Sequence, residues 1–375
     1  MRNKFLLLTL ATFFVSLAGC GSQQTSQTSD SVPSNRASSA VFAKSAYDFK
    51  DNDISVPAFF DTQGLDNCSF DPANENENCP LSKPIVRMYF SGTDVGGEGQ
   101  GVQALRDYDD KQLLSMLENQ FSGINRFRII TRDDGVIGQE QATYLEQQGA
   151  TALAKRSVKQ RVLQPDYIVK IDTLRTVKNE GSITTWMDYT LELTAATINP
   201  FTREMMSYPN LGKIRVKSED VRDRSELKFV MASNRYMAGF RYFDTAHVNS
   251  VINDMASRGF DILLTRMLSE MPATAQVVGI RDDQISLDRG QNAGVLPGET
   301  MIIFQYEAGF VEPIGVAHVN PSLNSATGQI VRWKKSSRAS DIRKQSYKGI
   351  YRPDKKAKIF AVSVGTPKKF LDTRT

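Results

Sequence analysis

Few side chains in this sequence could carry out a reaction, so each is weighed in turn. The cysteines are Cys20, Cys68 and Cys79, and the histidines are His247 and His318. A thiol can be acylated, form a disulfide, bind zinc or attack a carbonyl. Zinc binding and nucleophilic attack need an imidazole or further ligands at a recognised spacing, and neither histidine supplies one. His247 opens an expected helix and His318 falls in an expected strand, so both read as structural. Asp71, Glu75 and Glu77 lie between Cys68 and Cys79 but lack the alternating ligands and central glycine of a calcium loop. Gly96-Gly97-Glu98-Gly99-Gln100-Gly101 sits between a strand and a helix, where a phosphate loop would be. Its glycines miss the dinucleotide spacing, and no Gly-Lys-Ser/Thr follows. Asp133-Asp134 and Asp282-Asp283 fall at expected turns, where acidic side chains cap the backbone. The expectation is that there is no catalytic site, no metal and no cofactor, so the chain is not an enzyme.

The cysteines do suggest two other kinds of chemistry. Arg2 and Lys4 precede an apolar run from Phe5 to Leu17, which ends in Leu17-Ala18-Gly19-Cys20. A charged start, a short apolar stretch and a small-residue end make a secretory signal. The run is shorter than the ~20 apolar residues of a spanning helix. Its ending resembles the lipobox of bacterial lipoproteins, which implies lipidation of Cys20 and removal of residues 1–19. Gly21 stands where an aspartate would resemble an inner-membrane retention signal, so the expected location is the periplasmic face of the outer membrane, with the membrane reached through the lipid anchor. An oxidising compartment makes a Cys68–Cys79 disulfide the default.

Overall charge is nearly balanced, with 46 basic and 42 acidic residues. The imbalance is local: residues 332–375 hold 14 Lys and Arg against 3 Asp, an excess of +11. Such a segment reads either as a solvated end or as a contact for peptidoglycan, anionic lipid or an acidic protein face. Nucleic acid is not expected as a partner in that compartment.

Six segments follow from texture. Residues 1–19 are the signal, and residues 20–40, rich in Ser, Gln and Thr, are a lipidated flexible tether. Residues 41–82 form an irregular extension carrying the Cys68–Cys79 loop. Residues 83–271 alternate strands and helices. The strands lie at 84–90, 127–130 and 166–171, with strict alternation at Met187, Tyr189, Leu191, Leu193 and Ala195 and a returning strand near 212–216. One helix places Leu113, Leu114, Leu117 and Phe121 on a face, a polar helix covers much of 139–161, and a long one aligns Val251, Ile252, Met255, Ile262, Leu263 and Met267. Residues 272–333 are short strands between Gly, Pro and Asn, a small β domain expected to form a barrel. Residues 334–375 are the basic C-terminal tail.

The element order has a further implication. A strand, loop and helix precede Phe127-Arg128-Ile129-Ile130-Thr131-Arg132. A second helix, Pro165-Asp166-Tyr167-Ile168-Val169 and then Asp188 through Thr197 complete a pattern that resembles the curli-secretion (CsgG-like) lipoprotein family. That family's α/β core, a mixed sheet with flanking helices, is shared with the N-terminal domain of TolB. Leu287-Asp288-Arg289-Gly290 through Gly294-Val295-Leu296-Pro297-Gly298-Glu299 is similar to the C-terminal domain of a flagellar ring protein. Where the curli family has Thr-Gly-Glu, this chain has Pro200-Phe201-Thr202-Arg203-Glu204, so the resemblance implies a fold and not an identical task.

The curli channel crosses the membrane with two hairpins per subunit, and a hairpin needs strands of ~9–11 residues. The first position, Leu174 to Thr185, is expected to be a 12-residue gap holding Arg175, Lys178 and Glu180. The second, Lys217 to Ala246, is long enough but crowded by Arg222, Asp223, Arg224 and Arg235, and reads as a helical or surface segment. The resulting expectation is a non-enzymatic structural or assembly component of an envelope machine, of a curli-like secretion or flagellar-ring type. Its partners would be envelope proteins, with a homo-oligomer among the outcomes. Two alternatives stay open: a pore-forming subunit, and a regulator binding a cell-wall enzyme or peptidoglycan.

Overall fold

The computed structural model describes residues 40–68, 79, 81–90, 110–130, 165–179, 184–186, 188–207, 209, 211–222, 228–230, 235–236 and 245–374. Cys20, the glycine loop, Asp133-Asp134 and the helix expected at 139–161 lie outside them.

The chain folds as a mixed α/β sheet with flanking helices, followed by a closed antiparallel barrel. The sheet comprises β1 (Ile85–Phe90), β2 (Arg128–Ile130), β3 (Tyr167–Asn179), β5 (Asp188–Ile198), β6 (Met205–Met206) and β7 (Gly212–Lys217). Its order is β2-β1-β3-β5-β6, with β7 also on β5. β1 is parallel to β2 and β3, whereas β3–β5 and β5–β7 are antiparallel. Helix α1 (Asp110–Ser122) links β1 to β2, the crossover that parallel neighbours need. It buries Leu113, Leu117 and Phe121, and α2 (Thr245–Glu270) buries the stripe expected from its period. The two helices share one core with β1, β5 and β7. Within β5, Leu191, Leu193 and Ala195 are buried as the alternation predicts. Glu192 is buried too, because Lys213 and Arg215 on β7 close on it at 2.9 and 2.8 Å.

The hairpin expectations need correction. β3 continues through residues 174–179 instead of stopping near 173, pairing in register to Asn179↔Asp188. Its polar composition hid a strand whose ladder is completed by the antiparallel β5 that follows it. The pairs from Arg175↔Glu192 to Asn179↔Asp188 lie beyond β1, whose last partner on β3 is Ile171. In the second position, expected to be a helical or surface segment, the described residues hold a 3-10 turn at Ser218–Asp220, two short strands and the start of α2. β4 (Thr184–Trp186), β8 (Lys228–Val230) and β9 (Arg235–Tyr236) pair as a separate small sheet. A membrane strand takes ~9–11 residues, and these three have three, three and two.

The barrel runs β10 (Thr274–Arg281), β11 (Gln284–Leu287), β12 (Glu299–Glu307), β13 (Phe310–Pro321), β14 (Ala326–Trp333) and β15 (Lys358–Ser363). It closes in the order β10-β11-β14-β13-β12-β15. The boundary expected at residue 333 is therefore wrong. β15 lies between β10 and β12, so the barrel cannot close without it. A further helix, α3 (Ser337–Lys348), buries Ala339 and Ile342 against the barrel core. The high density of Lys and Arg concealed Ile359-Phe360-Ala361-Val362, all buried.

These strands are apolar on both faces for a clear reason. Met301, Ile303, Ile359 and Ala361 fill the barrel interior, whereas Ile302, Phe304, Phe360 and Val362 point outward. The outward set is covered by the N-terminal extension through Phe49, Ile54, Leu65 and Leu81. The extension is thus a strap over the barrel, braced by the Cys68–Cys79 disulfide.

Candidate functional site

The stretch between β11 and β12 forms the joint between sheet and barrel. Arg126, between α1 and β2, donates from Nε to the Gly294 carbonyl at 2.9 Å and from Nη1 to the Met271 carbonyl at 3.2 Å. Its Nη2 meets Glu299 Oε1 at 2.8 Å, and Glu299 Oε2 accepts the Leu296 amide at 2.8 Å. Arg126 is 3% exposed and Glu299 0%, so both charges are desolvated and each needs the other. Gly294 has φ +77°, and a Cβ there would lie 2.6 Å from Arg126 Cα, so only glycine lets the two backbones approach this closely.

Both ends of the described chain reinforce the joint. The strap starts on α2, where the Val41 amide donates to Thr265 Oγ1 at 3.2 Å, and then pairs Phe42 with Thr366. Lys334 and Lys358 donate to its backbone at Asp51, Asp66 and Cys68. The last residues return from the barrel to the helices. Phe370 and Leu371 enter the α/β core, and Arg374 Nε meets Asp261 Oδ1 at 2.6 Å. Burial pushes the Asp261 carboxyl up from its ordinary value, with Arg374 opposing. The segment expected to be a separate basic tail thus supplies a strand, a helix and a buried anchor.

A cleft of about 580 Å³ opens beside the joint, between Phe60, Lys83, Asp166, Phe201 and Glu270. Burial, followed by Arg128 and Arg289, pushes the Lys83 ammonium down. Its lining mixes both signs of charge with apolar rings. Among the described residues no group of three His, Cys, Asp or Glu side chains could hold a metal ion.

A second opening, on the barrel face formed by β10, β11, β14 and β13, is more uniform. Strand register sets Arg281 opposite Gln284, Gln284 opposite Gln329, and Gln329 opposite His318. Their side chains form one row across four strands, roughly 14 Å at the usual strand spacing. Ser286, Thr327 and Asn320 form the parallel row two residues along. With Ile350 and Arg352 at one side, these rows line a hollow of about 600 Å³. His318 also lines a neighbouring hollow of about 500 Å³, with Tyr47, Lys368 and Lys369. The Tyr47 and His318 rings lie 5.9 Å apart, and Tyr47 is 61% exposed. Among the described residues, no Asp or Glu lines either hollow.

The structure separates the residues singled out from sequence. Cys68 and Cys79 join; His247 falls in α2, far in sequence from any other candidate. His318 faces the groove. Asp282 and Asp283 occupy the β10–β11 turn, where Asp283 accepts from Trp333 Nε1 at 2.7 Å and from the Tyr347 hydroxyl at 2.8 Å. Arg126, Glu299 and the groove cations had no local signature, because each acquires its role from a partner far along the chain.

No protein-family model and no curated protein matches this sequence. Among solved structures the chain is similar to the hypothetical protein CT253 from Chlamydia trachomatis. The identity is 10% and the TM-score 0.27, over 51% of this chain and 98% of that one. A likeness of that size assigns neither fold nor function.

Proposed function

We propose that this chain is an exported, lipid-anchored, non-enzymatic component of an envelope assembly, held at the periplasmic face of the outer membrane through Cys20. The observation that carries the reading is the strap. A segment braced by a disulfide suits an oxidising compartment, and it begins directly after the tether expected to follow the anchor. Ala40 stands twenty positions after Cys20, so the folded body stays within roughly 70 Å of the membrane even when the tether is fully extended. Three features tie barrel and sheet together: the Arg126–Glu299 pair, the strap and the C-terminal return. Such a body transmits position and load as a unit. The element order that resembles the curli-secretion family, with the flagellar-ring-like motif at the joint, favours a secretion or appendage machine. Buried charges at the joint are engaged with one another and with carbonyls, which suits a structural role.

The test is metabolic labelling of the full chain with an alkynyl palmitate in a bacterium with two membranes. Expected are label in the outer-membrane fraction, its loss in Cys20→Ser, and release of that variant into the soluble periplasm. An unlabelled chain, or one in the cytosol with free Cys68 and Cys79 thiols, refutes the reading. Light scattering on the released variant then separates a ring-forming subunit from a monomer recruited by others.

A further inference from the structure

We infer that the two hollows joined at His318 form one binding groove for a glycan strand bearing carboxylates, the chemistry of a bacterial cell-wall polymer. The inference rests on the envelope location for the ligand's source, but not for its chemistry. Arg281 and Arg352 stand at one end and Lys368 and Lys369 at the other, all four exposed. None has an ion-pair partner among the described residues. Asp283, beside the groove, is already engaged by Trp333, Tyr347 and Arg343. Four unpaired cations with no lining carboxylate make a field that attracts an anion.

Between the charged ends the floor is built of amides and hydroxyls: Gln284, Gln329, Ser286, Thr327 and Asn320. Such groups both donate and accept, as sugar hydroxyls do. Tyr47 offers an exposed ring where the hollows meet, and rings of this kind pack against flat apolar faces while keeping the hydroxyl in water. An acidic peptide fits less well. Strand addition needs a free sheet edge, and this barrel is closed. A polar row of roughly 14 Å, with cations toward both ends of the groove, suits an extended chain better than a single small anion. Three of the four cations come from the C-terminal segment, so part of its excess charge is held at a fixed place in the fold.

The test is co-sedimentation of the full chain, in mild detergent, with purified peptidoglycan sacculi over a salt series. Arg281→Gln with Arg352→Gln, and separately Lys368→Gln with Lys369→Gln, each remove two exposed charge contacts. Each pair is expected to weaken retention by about threefold to tenfold, with the unfolding midpoint unchanged. Lys355→Gln with Lys356→Gln removes the same charge outside the groove and is expected to leave retention unchanged. Tyr47→Ala is expected to weaken retention without changing its salt slope. Equal loss from the outside pair, no loss from the groove pairs, or equal retention on polyglutamate beads overturns the proposal. Because the assay uses purified protein, a failed palmitate label leaves its result standing, and the reverse holds too.

Discussion

Replacing Glu299 by glutamine preserves the shape of the joint but removes the one carboxylate that pairs with the Arg126 guanidinium among the described residues. The guanidinium is then a buried charge with carbonyl partners alone, and breaking such a pair costs about 3–5 kcal/mol. Arg126→Met is worse. It leaves the Glu299 carboxylate buried with the Leu296 amide as its partner and strips donors from the Gly294 and Met271 carbonyls. Each buried acceptor left unmade adds about 1–3 kcal/mol. In the double variant neither charge remains, so only the carbonyl penalties persist. The sign is therefore specific: adding Glu299→Gln to Arg126→Met should recover about 3–5 kcal/mol of what Arg126→Met lost. Urea unfolding of parent, both singles and the double, followed by circular dichroism, gives the cycle directly. If the double variant is less stable than Arg126→Met, or the two effects simply add, the pair is not the joint described here.

Two further outcomes concern the C-terminal return. Leu371→Ala should destabilise the whole body by about 2–5 kcal/mol, as a core truncation does, with sheet and barrel still melting in one transition; a change within about 0.5 kcal/mol would mean a solvated end. Asp261 sets a pH dependence. Its folded carboxyl lies above the ordinary value of 3.8, so the native state holds its proton more tightly than the unfolded chain. That contribution is fully present below the unfolded value and is lost as pH rises through the folded one. The stability of the parent relative to Asp261→Asn should therefore fall as pH rises from below 3.8 through the raised folded value. A difference in unfolding midpoint that stays flat or grows with pH would contradict the burial argument.

Local pattern carried much of the architecture. The alternation at Leu191, Leu193 and Ala195 and the stripe along α2 lie within single elements, where period alone dictates which face is buried. The short strands after Pro272 were legible because turn residues punctuate them. The pairing of Cys68 with Cys79 was legible as two cysteines eleven positions apart at the ends of one short polar loop. Charge misled at two places. In β3, Arg175 and Lys178 hid a strand whose ladder is completed by β5, and in β15 the surrounding lysines hid a strand buried on both faces.

What the tertiary structure alone decided is which distant residues meet. Arg126 and Glu299 are 173 positions apart, and nothing near either one announces a buried ion pair. The groove has no sequence motif because its rows take single residues from four strands in one case and three in the other. Arg281 and Gln329 become neighbours only through Gln284, once β11 has paired with β10 and β14. Periodicity is a property of one element and is written in consecutive residues. A site is a property of register between elements, and the chain fixes that register only when its cores close.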